Sequence, residues 1–261
     1  MRSKPGVFGQ FVTPRSGMSG IAAPAPAFTP SDLFGADDYG DWWDFRTADG
    51  LFIADDGETD PVGENDPVGS AVGRRGVVTL KQPTTGSKPI WNGSALGAID
   101  GSAGGRRMDA TFTETSGGYS SFTVMEYTGP TGGVTFQILA NENSVPHGAA
   151  VRPDSTYGIR SAIGGGTFTN LAMSTGVPQD TAFCAYVRWD GTSPTYLRGG
   201  TNMDEESASA GESDSYSSYR LICGPTAGGD TAGRTIGDIR IGRLLTTEEI
   251  ALLIEYFGVG A

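Results

Sequence analysis

The segment FCAYVRW at residues 183–189 decides the fold class, because apolar and polar positions alternate along it. Every second residue falls on one face of an extended strand, and these residues are Phe183, Ala185, Val187 and Trp189. A period of two predicts a half-buried strand of an antiparallel sheet. A surface helix would instead place its apolar residues three and four positions apart.

Segments on both sides of this strand show the same alternation. Residues 134–138 read VTFQI, and Ile239 and Ile241 alternate with charged residues. Weaker strand candidates are short and bounded by turn residues: Phe122–Tyr127, Tyr157–Ala162, Thr167–Ala172, Thr195–Arg198 and Tyr219–Cys223. Glycine-rich turns such as GPTGG at 129–133 separate them. The sequence therefore predicts an all-β fold, an antiparallel β-sandwich or jelly roll, and not a parallel α/β fold.

One helix is predicted, at the C-terminal end of the chain. Thr246 and Glu249 have the spacing of a capping box. An apolar stripe of helical period follows, formed by Ile250, Leu253, Ile254 and Phe257. Gly258 is a typical helix end. We expect this helix to pack on the sheet beside the strand at 235–242, and the Ser-rich residues 203–218 to form a long exposed loop.

The first thirty residues differ in composition from the rest. They contain Arg2, Lys4 and Arg15 and no acid, and prolines favour an extended chain. No apolar run is long enough for a secretory signal. We therefore predict two parts, an extended N-terminal anchoring arm over 1–32 and a jelly-roll domain over 33–261. We expect the apolar and basic side chains of the arm, namely Phe8, Phe11 and Arg15, to contact other proteins.

The charge of the chain is strongly acidic and unevenly placed. The net charge is -12, and residues 32–66 carry twelve acids against one arginine, a sum of -11. Nucleic-acid binding is excluded because it needs clustered Lys and Arg, whereas Arg74-Arg75 and Arg106-Arg107 are isolated pairs. The longest aliphatic run is five residues, so membrane insertion is not expected.

Histidine and cysteine are too scarce for several kinds of site. His147 is the single histidine, which excludes a multi-histidine metal site. Cys184 and Cys223 are too few for a disulfide scaffold or a zinc knuckle. Both lie in predicted strands, where we expect them to be small buried apolar residues. A disulfide between them stays an alternative, although the absence of a signal sequence favours a reducing compartment.

An acidic loop offers two further possibilities. Asp55, Asp56, Glu58 and Asp60 are hard oxygen ligands that a structural calcium ion would accept. The alternative interpretation is a solvated acidic turn, and no other cofactor is indicated.

Retaining glycoside hydrolysis would need two carboxylates about 5–5.5 Å apart. Glu58 and Asp60 have the spacing that begins a strand motif of catalytic carboxylates, but the next acid, Glu64, is one residue too far along. Pro61 and Gly63 also mark a loop, so the sequence indicates no catalytic residue.

Aromatic and amide side chains are the candidates for sugar recognition. A pyranose ring stacks its apolar face on an aromatic ring while polar groups bind its hydroxyls. The candidates in predicted loops and rims are Trp91, Asn92, Tyr119, Asn141, His147 and Tyr196. The alternative places Trp91 in the core beside Ile90 and His147 in a turn.

Three segments together carry a family resemblance. They are residues 33–69, beginning LFGADDYGDWWDF; KPIW followed by GGRRMDATFTE; and residues 236–258, reading IGDIRIGRLLTTEEIALLIEYFG. They resemble the concanavalin A-like (laminin-G-like) jelly-roll domains of phage and prophage structural proteins from marine alphaproteobacteria. The similarity extends over about residues 33–258. The sequence departs from the group where a KSGNG turn is common, because GRRGVVTL occupies that stretch.

The resemblance implies a non-enzymatic virion structural or surface protein, a head decoration, fibre or tail component. Such a protein would be made in the host cytoplasm, form a homo-oligomer and bind other virion proteins through its arm. Its jelly roll would bind host cell-surface polysaccharide. Two alternatives stay open: a purely structural subunit, and a polysaccharide-degrading hydrolase of the sandwich-glucanase type.

Overall fold

The structure is a computed structural model, and its described residues build two antiparallel sheets and one short α-helix. These residues are 27–97, 106–111, 119–127, 136–139, 150–151, 159–162, 168–171, 180–189, 194–199, 205–208, 218–222 and 233–259. The prediction of an all-β antiparallel sandwich is confirmed. Within these ranges, no helix has the length and apolar character that crossing a membrane requires.

The first sheet, here called sheet A, contains eight strands. They are β1 (Gly40–Asp44), β5 (Ile90–Trp91), β6 (Leu96–Gly97), β8 (Tyr119–Tyr127), β13 (Ala182–Trp189), β14 (Pro194–Gly199), β15 (Glu205–Ala208) and β17 (Gly233–Ile241). Their order is β15-β14-β13-β8-β17-β6-β5, and β1 pairs with β17 beside β6. The long strands β8, β13 and β17 therefore form the centre of this sheet.

The second sheet, sheet B, contains nine strands. They are β2 (Leu51–Phe52), β3 (Ser70–Val72), β4 (Thr79–Lys81), β7 (Arg107–Thr111), β9 (Phe136–Leu139), β10 (Ala150–Val151), β11 (Ile159–Ala162), β12 (Phe168–Leu171) and β16 (Ser218–Ile222). Their order is β12-β11-β10-β9-β16-β7-β4-β3-β2. Each strand candidate from the sequence overlaps one of the observed strands.

The predicted strand FCAYVRW is β13, and the four consecutive residues whose burial is described are not half-buried. Phe183, Cys184, Ala185 and Tyr186 are all buried, although they alternate between the two faces of the strand. Cys184 and Tyr186 belong to an apolar cluster that also contains the C-terminal helix. Both faces of central sheet A are therefore covered, one by this helix and the other by sheet B.

The helix α1 (Thr247–Phe257) is the predicted one. The Thr246 hydroxyl accepts a hydrogen bond from the Glu249 N–H, and the Glu249 carboxylate accepts one from the Thr246 N–H. Gly258 ends the helix with φ 67°. The ring of Phe257 lies so close to Gly237 on β17 that a Cβ there would be 2.2 Å from it. The expected packing on the strand at 235–242 is confirmed.

The Ser-rich segment 203–218 is not a single exposed loop. Residues Glu205–Ala208 form β15, which pairs with β14 at the edge of sheet A. Polar residues with low strand propensity are tolerated there because an edge strand makes only one set of backbone pairs. Residues 209–217 lie outside the described part of the chain.

Residues just before the predicted domain boundary at 33 are attached to the body. Phe28 meets the ring of Tyr256 edge-on, with centroids 6.4 Å apart. A short 3₁₀ helix over Pro30–Leu33 follows, and Leu33 is buried in the apolar cluster around α1. The chain is thus held to the C-terminal helix from about residue 28 onward. The preceding part of the predicted arm, residues 1–26, lies outside the described residues.

Candidate functional site

The face of sheet A that meets sheet B carries buried charge. Asp238 and Arg240 lie on β17 and are almost completely buried. Arg240 Nε donates to Asp238 Oδ2 at 2.8 Å, and the Thr123 hydroxyl donates to the other carboxylate oxygen. Because both oxygens of Asp238 have partners and solvent is excluded, this pair has a structural role and no free acid for chemistry.

Asp41 on β1 is a second buried carboxylate on this face. It accepts backbone N–H bonds from Trp42, Arg75, Val77 and Val78, at 2.8–2.9 Å. A Cβ at Gly73 would lie 2.0 Å from its Cγ, so only glycine allows this approach. The stretch GRRGVVTL, which departs from the family pattern, is thus the turn that binds Asp41.

The neighbouring pair Arg74-Arg75 holds β1 from both sides. Arg74 donates to the Thr47 hydroxyl at 2.7 Å and forms an ion pair with exposed Asp49. Arg75 donates to the Asp38 and Gly40 carbonyls, and its guanidinium stacks 4.4 Å from the Phe34 ring centroid. Both guanidinium groups thus have hydrogen-bond partners within the fold.

A third arginine joins β1 to the helix. Arg46 forms a bidentate pair with Asp44 at 2.7 and 2.8 Å, and the Tyr256 hydroxyl donates to the same carboxylate. Burial opposes ionisation of Asp44, but the hydrogen bonds from Arg46 outweigh it and hold the pKa of Asp44 below its ordinary value. The Arg46 guanidinium also lies over the rings of Tyr256 and Phe257.

The first two sugar-site candidates have structural partners. Trp91 is buried, and its Nε1 donates to the Phe45 carbonyl at 2.8 Å, so the alternative that placed it in the core is the correct one. The Asn92 amide oxygen accepts N–H bonds from Ser94 and Ala95 and thereby closes a turn. The indole N–H of Trp91 and the amide oxygen of Asn92 are thus engaged within the fold.

The acidic loop does not assemble a cation site. Within the described residues, no three His, Cys, Asp or Glu side chains are placed to hold a metal ion. Asp55, Glu58 and Asp60 are exposed. Asp56 instead caps a turn: hydrogen bonds from the Thr59 hydroxyl and from the Glu58 and Thr59 N–H groups lower its pKa to about 2. The structural calcium ion therefore stays a sequence-based prediction.

Two other candidates lie on the two strands that flank β13. Tyr119 begins β8 and Tyr196 lies on β14, and β13 pairs with both strands. The remaining candidates Asn141 and His147, and the anchoring candidates Phe8, Phe11 and Arg15, lie outside the described residues. They therefore stay sequence-based predictions.

Cys184 is a free, buried thiol, as expected for a small apolar core residue. Burial raises its pKa to about 12, which suppresses the reactive thiolate. Cys223 lies outside the described residues.

Comparison with known proteins identifies the fold. No family model and no curated protein sequence matches the chain. Among solved structures, Trypanosoma rangeli sialidase is 10% identical with a TM-score of 0.50, over 80% of this chain and 36% of that one. An α-L-arabinofuranosidase variant soaked with 4-nitrophenyl α-L-arabinofuranoside is 10% identical with a TM-score of 0.52, over 75% and 51% of the two chains.

A third similar structure is the receptor-binding domain of a botulinum neurotoxin of mosaic serotype C/D. It is 8% identical with a TM-score of 0.47, over 63% of this chain and 42% of that one. The chain thus spans only about a third to a half of the length of these three proteins. At such low identity, the two structures with TM-scores of 0.50 and 0.52 show a shared β-sandwich architecture and nothing more.

Proposed function

We propose that this protein is a non-enzymatic glycan-binding β-sandwich domain, held in a larger assembly by its N-terminal segment. Two observations support the glycan part. Two of the similar structures, with TM-scores of 0.50 and 0.52, are a sialidase and an arabinofuranosidase, which act on carbohydrates. The chain also contains the aromatic and polar residues that stacking on a sugar requires.

Binding is favoured over hydrolysis because the carboxylates on the strands are already paired within the fold. Every Asp or Glu whose side chain is described within a strand has a partner: Asp41, Asp44, Asp109, Glu126 and Asp238. Asp41 and Asp238 are also closed off from solvent. A general acid and a nucleophile would have to reach a sugar placed between them.

The setting we propose is a phage particle. It rests on the resemblance of residues 33–258 to phage and prophage structural domains, and on the basic, apolar composition of residues 1–26. Repeated copies on one particle would strengthen weak sugar contacts through multivalency. The glycan would then be a host cell-surface polysaccharide, and the oligomer would be formed by copies of this chain.

Incubation with polysaccharides tests the glycan part. The full-length protein is applied to neutral and anionic polysaccharides, and both retention and release of reducing ends are measured. We expect retention without release of reducing ends. Release that is abolished by Glu58→Gln or Asp60→Asn would establish the hydrolase alternative. Absence of retention on every polysaccharide would contradict a glycan-binding role.

The arm is tested separately. Phe8→Ala/Phe11→Ala/Arg15→Ala is compared with the full-length protein by light scattering during gel filtration. We expect the native protein to be an oligomer and the triple variant to have a lower mass with an unchanged melting temperature. Equal masses would remove the anchoring role of these residues without affecting the glycan proposal.

A further inference from the structure

The side of α1 that points away from sheet A carries exposed side chains. Residues three and four positions apart lie on the same face of a helix. Four exposed residues have this spacing, and we call them the outer row: Glu248, Ala251, Leu252 and Glu255. The side chain of Leu252 is 38% exposed, as is that of Leu244 just before the helix. The outer row is therefore a surface that another chain can reach.

The two glutamates of the outer row lack a counter-charge. Their neighbour Glu249 is different, because it forms an ion pair with Arg243 at 2.6 Å. Within the described part of the chain, the carboxylates of Glu248 and Glu255 make no ion pair or hydrogen bond, and α1 contains no Lys or Arg. Glu255 lies in the last turn, at the negative end of the helix dipole, where a cation is favourable and an anion is not. A positive group beside the outer row would therefore stabilise the helix.

The N-terminal segment of the chain has such groups, and it joins the body beside α1. Phe28 meets the ring of Tyr256 edge-on at 6.4 Å, and Tyr256 lies one helical turn after Leu252. The residues that precede this contact, 1–26, include no acid and three bases: Arg2, Lys4 and Arg15. The basic segment thus begins next to the acidic row.

The length of the segment allows it to reach the helix of another copy. With eleven residues, α1 is about 16 Å long. Residues 4–15 are enough to follow it from end to end, and residues 16–26 span up to about 36 Å between two bodies. Pro24, Pro26 and Pro30 favour an extended chain, which continues away from its own body and does not turn back onto its own helix.

We infer that the outer row of α1 is the docking surface for residues 4–15 of a second copy of this chain. The segment has a base at each end and aromatic residues between them, and the outer row has its apolar residues between two glutamates. Opposite charges therefore meet at both ends of the contact, with apolar side chains in the middle. This inference rests on the proposed anchoring role of the arm, and it names the surface that receives the arm.

Charge reversal in the full-length protein tests this surface, with light scattering during gel filtration at several protein concentrations. Glu248→Lys/Glu255→Lys places a basic row against a basic arm, and Lys4→Glu/Arg15→Glu places an acidic arm against an acidic row. Each double variant should need at least a tenfold higher concentration than the native protein to form the oligomer. A mixture of the two variants should form an oligomer again, because each arm then meets a row of opposite charge on the other chain.

Glu58→Lys/Glu64→Lys is the matched control. Both glutamates are exposed and lie outside α1, and their reversal changes the net charge by the same amount as reversal of the outer row. The control should assemble at the same concentration as the native protein. Melting curves of all variants show whether each is folded.

The outcomes separate this surface from the anchoring role of the arm. An oligomer that persists in folded Glu248→Lys/Glu255→Lys, while Phe8→Ala/Phe11→Ala/Arg15→Ala dissociates, overturns the docking surface and leaves the arm its role. A mixture that stays dissociated overturns docking between copies, and so does a control that dissociates as readily as the variant of the outer row. A native protein that is monomeric at every concentration overturns both proposals about assembly without affecting the glycan proposal.

Discussion

The two faces of sheet A are both buried but are built from different chemistry. The face toward α1 is apolar, with Phe122, Val124, Ile239 and Ile241 packed against the helix. The face toward sheet B carries the Asp238–Arg240 ion pair and the Asp41 carboxylate at neighbouring positions. Asp238 and Ile239 are successive residues of β17, so their side chains are buried on opposite faces of sheet A, one in charged and one in apolar surroundings.

The difference shows how each face is specified. An apolar face is stabilised in proportion to the area removed from water and tolerates small shifts. A buried ion pair stabilises little by itself, but any arrangement that leaves one charge alone is strongly unfavourable. The charged pair therefore fixes which residues of β1, β8 and β17 can lie opposite one another, whereas the helix face is held by apolar burial.

Breaking the buried pair should have the largest effect. Asp238→Ala leaves the buried Arg240 guanidinium without its carboxylate and should lower the free energy of unfolding by about 3–5 kcal/mol. Urea denaturation measures this loss. The double variant Asp238→Leu/Arg240→Met removes both charges and should recover a large part of the stability.

Asp49→Ala is the control for a carboxylate with little burial. Its ion pair with Arg74 is 3.2 Å long and its side chain is 73% exposed, so very little change in the free energy of unfolding is expected. If Asp238→Ala were as mild as Asp49→Ala, the buried pair would not specify the charged face.

A cavity on the helix face should have the next largest effect. Leu253 is 0% exposed and its neighbour Leu252 is 38% exposed, so the two provide a matched pair on one helix. Leu253→Ala should cost about 2–5 kcal/mol through lost burial and the cavity that remains. Leu252→Ala should change the stability by about 0.5 kcal/mol. Equal losses in the two variants would show that α1 does not pack as described.

Sequence patterns predicted the apolar face well and the charged face poorly. The stripe Ile250, Leu253 and Phe257 and the alternation of Ile239 with Ile241 are local signals, and they identified the helix, the strand and their contact. The same alternation predicts that the side chains of Asp238 and Arg240 are exposed to solvent, because polar residues usually are. Only the position of sheet B, which depends on distant pairings, shows that both are buried.

The candidate site was predictable only in part, for a similar reason. Tyr119 and Tyr196 could be named as aromatic residues near strand ends, but their connection through the strand that ends at Trp189 could not be predicted. The pairing of Trp189 with Tyr119 joins positions seventy residues apart. Such a register depends on turn geometry and on the whole hydrophobic pattern, which one sequence does not provide. Asn92 and Asp56, in contrast, close short turns within their own segments.

The smallest of these effects concerns the link between β1 and the helix, and it depends on pH. Arg46→Leu removes the partner of Asp44, and we expect a loss of about 1–2 kcal/mol at pH 7, since the Arg46 side chain is partly exposed. In the native protein the folded-state pKa of Asp44 lies below its unfolded value. Ionised Asp44 therefore stabilises the fold above about pH 4, and this contribution is lost as the pH falls through the folded pKa.

In Arg46→Leu the pKa of Asp44 should rise, because burial then acts without its counter-charge. The stability difference between the native protein and the variant should accordingly shrink from pH 7 to pH 3 in urea titrations. It should not vanish, because the stacking of Arg46 on Tyr256 and Phe257 does not titrate in this range. Arg234→Leu, whose 3.9 Å pair with Glu126 is more exposed, should show a smaller difference at every pH. A pH-independent difference for Arg46→Leu would mean that packing alone, and not the ion pair, joins the charged strand β1 to the apolar helix face.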